Sequence, residues 1–211
     1  MKAVIISGGN PPSIELLKEE LKEASILICA DSGANCLFQY EIIPSYLIGD
    51  FDSIKPEVLN YFRSSKSIIE KHPIEKDDTD TQLALKKALE INTNTIVFLG
   101  CTGSRLDHTF GNLGMLLQCI NLGIKAYIRD DNNTIWLTDK SVDISGKASE
   151  YFSLLAYGSD VDNLTIQGSK YNLYNFTLRL GSSLTISNEF IENKVNISFT
   201  SGILMITKSF D

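Results

Sequence analysis

Residues 95–128 read TIVFLGCTGSRLDHTFGNLGMLLQCINLGIKAYI. A short apolar run, Thr95–Leu99, has the length and composition of a strand. A polar, glycine-rich loop follows, Gly100–His108. An amphipathic stretch comes next, which Asp107 is placed to cap and which Gly123 ends after Leu122. Lys125–Ile128 then opens another apolar run. Strand, loop, helix and strand in that order describe one unit of a parallel sheet.

Toward the N-terminus the same alternation repeats. The pattern predicts strands at Ala3–Ser7, Ile26–Ala30, Tyr46–Ile48 and Ser67–Lys71. Helices are expected at Ile14–Glu23 behind Ser13, at Pro56–Ser64 with Pro56 in the first turn, and from a Thr79 or Asp80 cap to Ile91. The expected architecture is a Rossmann-like α/β domain with a parallel sheet covered on both faces. From Asn133 onward the pattern changes. Runs rich in Val, Ile, Thr, Tyr and Phe recur at Thr134–Leu137, Glu150–Ala156, Leu164–Ile166, Tyr174–Leu178, Lys194–Phe199 and Ile203–Thr207, separated by Gly/Ser turns. This part reads as a small all-β domain, a sandwich or a barrel. The boundary falls in 123–131, and the expected domains are 1–125 and 126–211.

The bulk composition narrows the function. With 211 residues the chain is long enough to bury a core, and 43% hydrophobic against 21% charged residues exclude a disordered chain. A net charge of −7 disfavours nucleic acid and anionic membranes as partners and suits a cationic substrate. Cys29, Cys36, Cys101 and Cys119 form no CxxC pair, so buried free thiols in a reducing compartment are expected. Residues 1–9 lack a basic leader and a cleavage site, and no stretch has the length of a membrane helix, so the expected location is cytoplasmic.

Ligands bind at the carboxyl ends of the strands of an open parallel sheet. Four polar clusters follow predicted strands: Asp31-Ser32-Gly33-Ala34, Gly49-Asp50-Phe51-Asp52-Ser53, Lys76-Asp77-Asp78-Thr79-Asp80, and Gly100–His108. Asp50-x-Asp52 alone is equally a turn, and the carboxylates of Asp77, Asp78 and Asp80 alone are read first as helix-capping groups. Crowded at one site, such carboxylates repel unless a cation neutralises them, and oxygen-only ligands suit Mg²⁺. The Gly100–His108 loop offers backbone N–H groups ahead of a helix, an anion-binding arrangement to which Arg105 adds a planar donor fork. Neither GxxxxGK[ST] nor GxGxxG is present.

Taken in order, these clusters resemble the thiamine pyrophosphokinase family. The similarity rests on Asp31-Ser32-Gly33-Ala34-Asn35, Ile48-Gly49-Asp50-Phe51-Asp52-Ser53-Ile54, Lys76-Asp77-Asp78-Thr79-Asp80-Thr81 and Gly100–His108, then Asn112 and Ile186-Ser187-Asn188-Glu189-Phe190. Ser32, Cys101, Ser104 and Thr185 stand where the family often has glycine. The resemblance implies transfer of a pyrophosphoryl group from MgATP to the thiamine hydroxyl, releasing AMP. It implies Mg²⁺ ligands at Asp50, Asp52 and Asp80, with Asp77 supporting. ATP contacts are implied at Asp31, Ser32, Gly33, Lys76, Thr102, Gly103, Arg105 and His108. Asp77, Arg105 and Asp107 are the implied catalytic groups, with Asp107 or Asp77 as acceptor of the hydroxyl proton. Ser187 and Asn188 would seat thiamine, in a homodimer whose active sites lie at the subunit interface. Two alternatives are a pyrophosphokinase for another hydroxymethyl heterocycle, such as a pterin, and a non-catalytic MgATP or thiamine sensor.

Overall fold

The computed structural model describes residues 1–210. The chain divides into two compact units, Met1–Asp131 and Asn132–Asp211. In the first, the elements are β1 (Lys2–Ile6), α1 (Ile14–Leu21), β2 (Ile26–Ala30), α2 (Gly33–Gln39), β3 (Tyr46–Gly49) and α3 (Pro56–Arg63). They continue with β4 (Ile68–Lys71), α4 (Asp80–Glu90), β5 (Thr95–Leu99), α5 (Leu106–Asn121) and β6 (Lys125–Arg129). The strands lie in the order β6-β5-β1-β2-β3-β4 and every pairing is parallel. Ala3–Ile6, Leu27–Ala30 and Ile96–Leu99 are buried without interruption, which parallel strands covered on both faces require. β4 forms one edge and ends in Glu70 and Lys71, charges that discourage pairing with another chain.

The caps follow local chemistry. Ser13 Oγ accepts the Leu16 N–H, and Thr79 Oγ1 accepts the Gln82 N–H, so Thr79 rather than Asp80 caps α4. Two helix readings are corrected. α5 begins at Leu106 with Arg105 at its cap position and no side-chain cap bond, because the Asp107 carboxylate is paired with Arg105. α2 was not expected at all: its first residue is Gly33 and it has no side-chain cap and no charged ends. The domain boundary also moves. A cut at 125/126 would detach β6, but β6 pairs in parallel with β5 over Lys125–Ile128 and belongs to the first unit.

The second unit comprises β7 (Asn133–Thr138), β8 (Val142–Ser145), β9 (Tyr151–Ala156), β10 (Val161–Gln167), β11 (Leu173–Leu178), β12 (Asn188–Glu189), β13 (Lys194–Ser198) and β14 (Leu204–Ser209). They form two antiparallel layers, β12-β9-β14-β7 and β11-β10-β13-β8. Phe152, Leu154, Leu204 and Ile206 from one layer share a buried core with Ile144, Leu164, Ile166, Val195 and Ile197 from the other. Of the two expected forms, the unit is the sandwich. All four cysteines are buried and free. Among the described residues no helix is long and apolar enough to cross a membrane.

Glu20 of α1 is an acid buried to 3% exposure. It accepts hydrogen bonds from Lys2 Nζ (2.8 Å), Tyr127 Oη (2.8 Å) and Arg129 Nη1 (2.6 Å), tying α1 to β1 and β6. Burial pushes its pKa up, but these donors outweigh burial and the net direction is down. A depressed native pKa contributes stability above the unfolded value, and that stability is lost as pH falls through the native one. Glu20→Gln should therefore cost about 2 kcal/mol at neutral pH. Urea melts should show the deficit undiminished down to about pH 5 and shrinking below the ordinary Glu range near 4.3.

Candidate active site

β1 continues to β2 on one side of the sheet, while β5 returns to pair on the other side of β1. The loops leaving β1 and β5 therefore diverge at a topological switch point, where parallel sheets open a crevice. The crevice here has a volume of about 650 Å³. Its walls are the four expected clusters and a fifth, Ser7-Gly8-Gly9-Asn10, at the exit of β1. Only Ser7 of that segment was assigned to the expected first strand, which ends at Ile6, and Gly8-Gly9-Asn10 were not expected at the site. Its Gly-Gly-Asn composition is the signal that marks it as a loop.

Backbone hydrogen bonds zip the β1 and β5 loops together. Ser7 N donates to Leu99 O (2.9 Å), Gly9 N to Gly100 O (2.8 Å) and Asn10 N to Thr102 O (2.7 Å). A Cβ on Gly9 would lie 2.3 Å from Thr102 O and 2.5 Å from Gly100 O, so only glycine permits this approach. Asn112 from α5 donates to Cys101 O at 2.7 Å and pins the loop from below. The Cys101 thiol is buried, and burial lifts its pKa to about 12, so it is part of the floor rather than a nucleophile.

The acidic wall depends on one strained turn. Asp31 and Asp50 come together because β2 and β3 are neighbours in the register Ala30↔Ile48. Phe51, buried between Asp50 and Asp52, has φ +69°, and its N–H donates to Asp31 Oδ1 at 3.1 Å. Oxygen atoms of Asp31, Asp50 and Asp52 lie within 4.8 Å of one another. Burial raises the Asp31 pKa, with a Ser32 backbone hydrogen bond opposing and the charges of Asp80, Asp50 and Asp52 adding to the rise. Lys76 holds Asp50 in the opposite direction, below the usual range. Asp80, at the start of α4, stands across Lys76 from Asp50, with 2.8 Å from Lys76 Nζ to Asp50 Oδ2 and 3.1 Å to Asp80 Oδ1. The Asp80 contact is off the hydrogen-bonding direction, and among the described residues nothing else satisfies that buried oxygen. An all-oxygen donor set, carboxylates crowded enough to raise a pKa and an orphaned buried oxygen together fit a hard divalent cation.

The other expected residues divide. Ser32, Lys76, Thr102, Gly103, Arg105 and His108 line the crevice with Asp31, Asp50, Asp52 and Asp80. Gly33 does not; it is buried under the exit of β1, where a Cβ would meet Ile6 O at 2.7 Å. Asp77 and Asp107, the two expected proton acceptors, are exposed and line no part of the crevice, whereas Asp78 does and is paired with Lys86 at 2.5 Å. Arg105 spends its fork on Asp107, with Nη2–Oδ2 at 2.5 Å. Both side chains are exposed, so solvent screens the pair and a phosphate can displace Asp107 at little cost.

In the second unit, Ser187 is exposed at φ +58°. Asn188 is buried and its amide is fully used. Nδ2 donates to Tyr171 O and Ser169 Oγ, while Oδ1 accepts from Tyr171 N and Glu189 N. A primary amide has two donors and two acceptor sites, so none is left for a ligand. The expected ligand contact from Asn188 is corrected to a positioning role, fixing the 169–171 turn beside Ser187.

The fold and crevice thus define a two-unit α/β and β protein equipped to hold a polyphosphate and a divalent cation at a sheet switch point. Residues 17–128 match the family described as thiamin pyrophosphokinase, catalytic domain, and residues 139–204 match its vitamin B1 binding domain. The thiamine pyrophosphokinase of Bacillus subtilis is 35% identical over the full length of both chains. A second relative, thiamine pyrophosphokinase 1 of Oryza sativa, is 28% identical across 86% of this chain and 78% of its own. Among solved structures, the Bacillus subtilis enzyme superposes with a TM-score of 0.91 at 33% identity, covering both chains completely. That from Geobacillus thermodenitrificans gives 0.88 at 31% identity, over 100% of this chain and 98% of its own. The chain belongs to the thiamin pyrophosphokinase family.

The zipped loops carry their own test. Gly9→Ala must separate the β1 and β5 loops, so nucleotide binding should weaken by at least tenfold in calorimetric titration. The melting temperature should fall by only a few degrees, because the core strands beneath are untouched.

Proposed function

We propose that this chain transfers the pyrophosphoryl group of MgATP to the hydroxyl of thiamine, giving thiamine diphosphate and AMP. The observation that carries the reading is the switch-point crevice, in which the family's acidic and glycine-rich clusters face each other. Asp50, Asp52 and Asp80 would hold Mg²⁺, with Asp31 close enough to the first two to share it. Bound there, the cation supplies neutralisation of the charge that develops on the phosphate oxygens. Around it, the Thr102–Gly103 backbone and Arg105 grip phosphates, while Ser32, Lys76 and His108 complete the wall. Neither Asp77 nor Asp107 reaches the crevice, so alignment and charge neutralisation outweigh a strong base, as a loose phosphoryl transition state allows.

The chain acts as a homodimer in the cytoplasm, each active site combining the first unit of one subunit with the second unit of the other. Supporting the dimer, Leu180, Leu184, Ile186 and Ile191 are all exposed around Ser187 on a unit of modest size. Supporting the compartment, all four thiols are free. Ser187 contacts thiamine, and Asn188 holds the adjoining turn.

Incubation with ATP, Mg²⁺ and thiamine should yield thiamine diphosphate and AMP in equal amounts; ADP with thiamine monophosphate would refute pyrophosphoryl transfer. Asp52→Asn should lower kcat/KM by roughly two to three orders of magnitude. Its metal-free melting temperature should hold or rise, since like-charge repulsion is relieved. Mixing Asp52→Asn with Ser187→Arg, each inactive alone, should restore about a quarter of wild-type activity after subunit exchange. No recovery despite demonstrated exchange would overturn the shared site.

A further inference from the structure

The carboxylates of Asp31, Asp50, Asp52, Asp78 and Asp80 line one crevice. Asp78 is neutralised by Lys86. Of the cations on the crevice wall, Arg105 is committed to Asp107. Lys76 touches both Asp50 and Asp80, and its side chain is 13% exposed. Its ammonium group spends one proton on Asp50 Oδ2 (2.8 Å) and one on Pro73 O (3.1 Å), and faces Asp80 Oδ1 at 3.1 Å without bonding it well. The two oxygens it bridges belong to residues assigned above to the divalent cation.

We infer that Lys76 is a tethered counter-ion of Asp50 and Asp80, displaced from them when a divalent cation binds. The inference rests on the assignment of those carboxylates to the metal. A divalent cation held by these carboxylates would repel the ammonium at close range and draw on the same negative charge, so metal and ammonium compete there. The poorly satisfied Asp80 oxygen marks the exchange as favourable, because a metal takes up a buried acceptor that Lys76 leaves unmet. Once released, the ammonium keeps its charge on a flexible four-carbon stem and needs an anion. A nucleotide polyphosphate entering with the metal supplies one. Metal alone leaves the displaced ammonium without an anionic partner, whereas metal with nucleotide gives it one. Lys76 thereby makes the two bind cooperatively, and the coupling is reciprocal.

The test is Mn²⁺ binding, read from the paramagnetic resonance signal of the free ion, with and without a non-hydrolysable ATP analogue. Lys76→Met should bind Mn²⁺ alone at least tenfold more tightly than wild type. The strengthening of Mn²⁺ binding by the analogue should shrink by a similar factor. Without metal, Lys76→Met should melt at a lower temperature, because Asp50 and Asp80 then repel uncompensated. Arg105→Gln removes a cation from the same crevice without touching either carboxylate, and in the absence of nucleotide should leave Mn²⁺ affinity within twofold of wild type. The inference is overturned if Lys76→Met binds Mn²⁺ alone no more tightly than wild type, or if Arg105→Gln tightens it equally. Lys76→Gln, which keeps a hydrogen-bond donor, gives the same reading should the Met variant not fold. Absence of pyrophosphoryl transfer by the wild type would refute the proposed reaction while leaving these binding results to stand or fall separately.

Discussion

Everything chemical in the first unit hangs on three backbone hydrogen bonds where β1 and β5 leave the sheet. Strands running parallel in adjacent positions, with their chain connections going opposite ways, leave a gap at their carboxyl ends. Here the gap is narrowed by Ser7 N, Gly9 N and Asn10 N bonding across to the β5 loop. The result is a row of backbone groups held by a core that is fully buried beneath them, from Val4 to Ile6 and from Val97 to Leu99. A loop anchored this way is pre-organised for an anion, so little ordering entropy remains to be lost on binding. Side chains from α4, which packs on β1, β2 and β3, then meet that loop across the crevice: Thr81 Oγ1 lies 2.9 Å from Ser7 Oγ.

Facing this anion-seeking edge is a wall that repels anions until it is neutralised. The raised pKa of Asp31 and the lowered pKa of Asp50 are two sides of one imbalance. Asp50 has Lys76; Asp31 has burial and three acidic neighbours. Burial works against the charge on Lys76 as well, yet its bond to Asp50 and the nearby charge of Asp80 win and its pKa is raised.

Much of this was legible in the sequence, and the exceptions have physical causes. Long apolar runs buried on both faces and helices with Ser13, Pro56 or Thr79 at their starts announce themselves, because their signals are local. α2 does not, since Gly33 opens it for reasons of packing against Ile6 O rather than helix propensity. β8 and β12 were not among the expected strands, and β12 consists of only the two residues Asn188 and Glu189. In the site, residue types pointed correctly to a crevice of acids and glycines. What they did not reveal was partnership. Asp31 joins Asp50 only because of the β2–β3 register, whereas the pairing of Asp107 with Arg105, two residues away, is a local ion pair that the sequence itself suggests. Asn188 was expected as a ligand from the family resemblance alone, but burial had already claimed all four of its hydrogen bonds.

Phe51 shows why such a site cannot be read from polar residues alone. Two carboxylates flanking an aromatic residue in extended backbone would place Asp50 and Asp52 on one side and Phe51 on the other, as the crevice needs, but would carry the chain straight on. The turn is made instead by Phe51 at φ +69°, a conformation that costs a bulky side chain on the order of 1–3 kcal/mol. Burying its ring recovers about 2 kcal/mol, and the bond from its N–H to Asp31 Oδ1 contributes roughly 1 kcal/mol more. The terms are of similar size, so the turn holds because the aromatic anchor and the acceptor are both present. Glycine at this position would relieve the strain and release the anchor together, leaving Asp50 and Asp52 on a mobile loop. The hydrophobic core thus reaches into the active site through one ring, and it holds the acidic pair in place against its own repulsion.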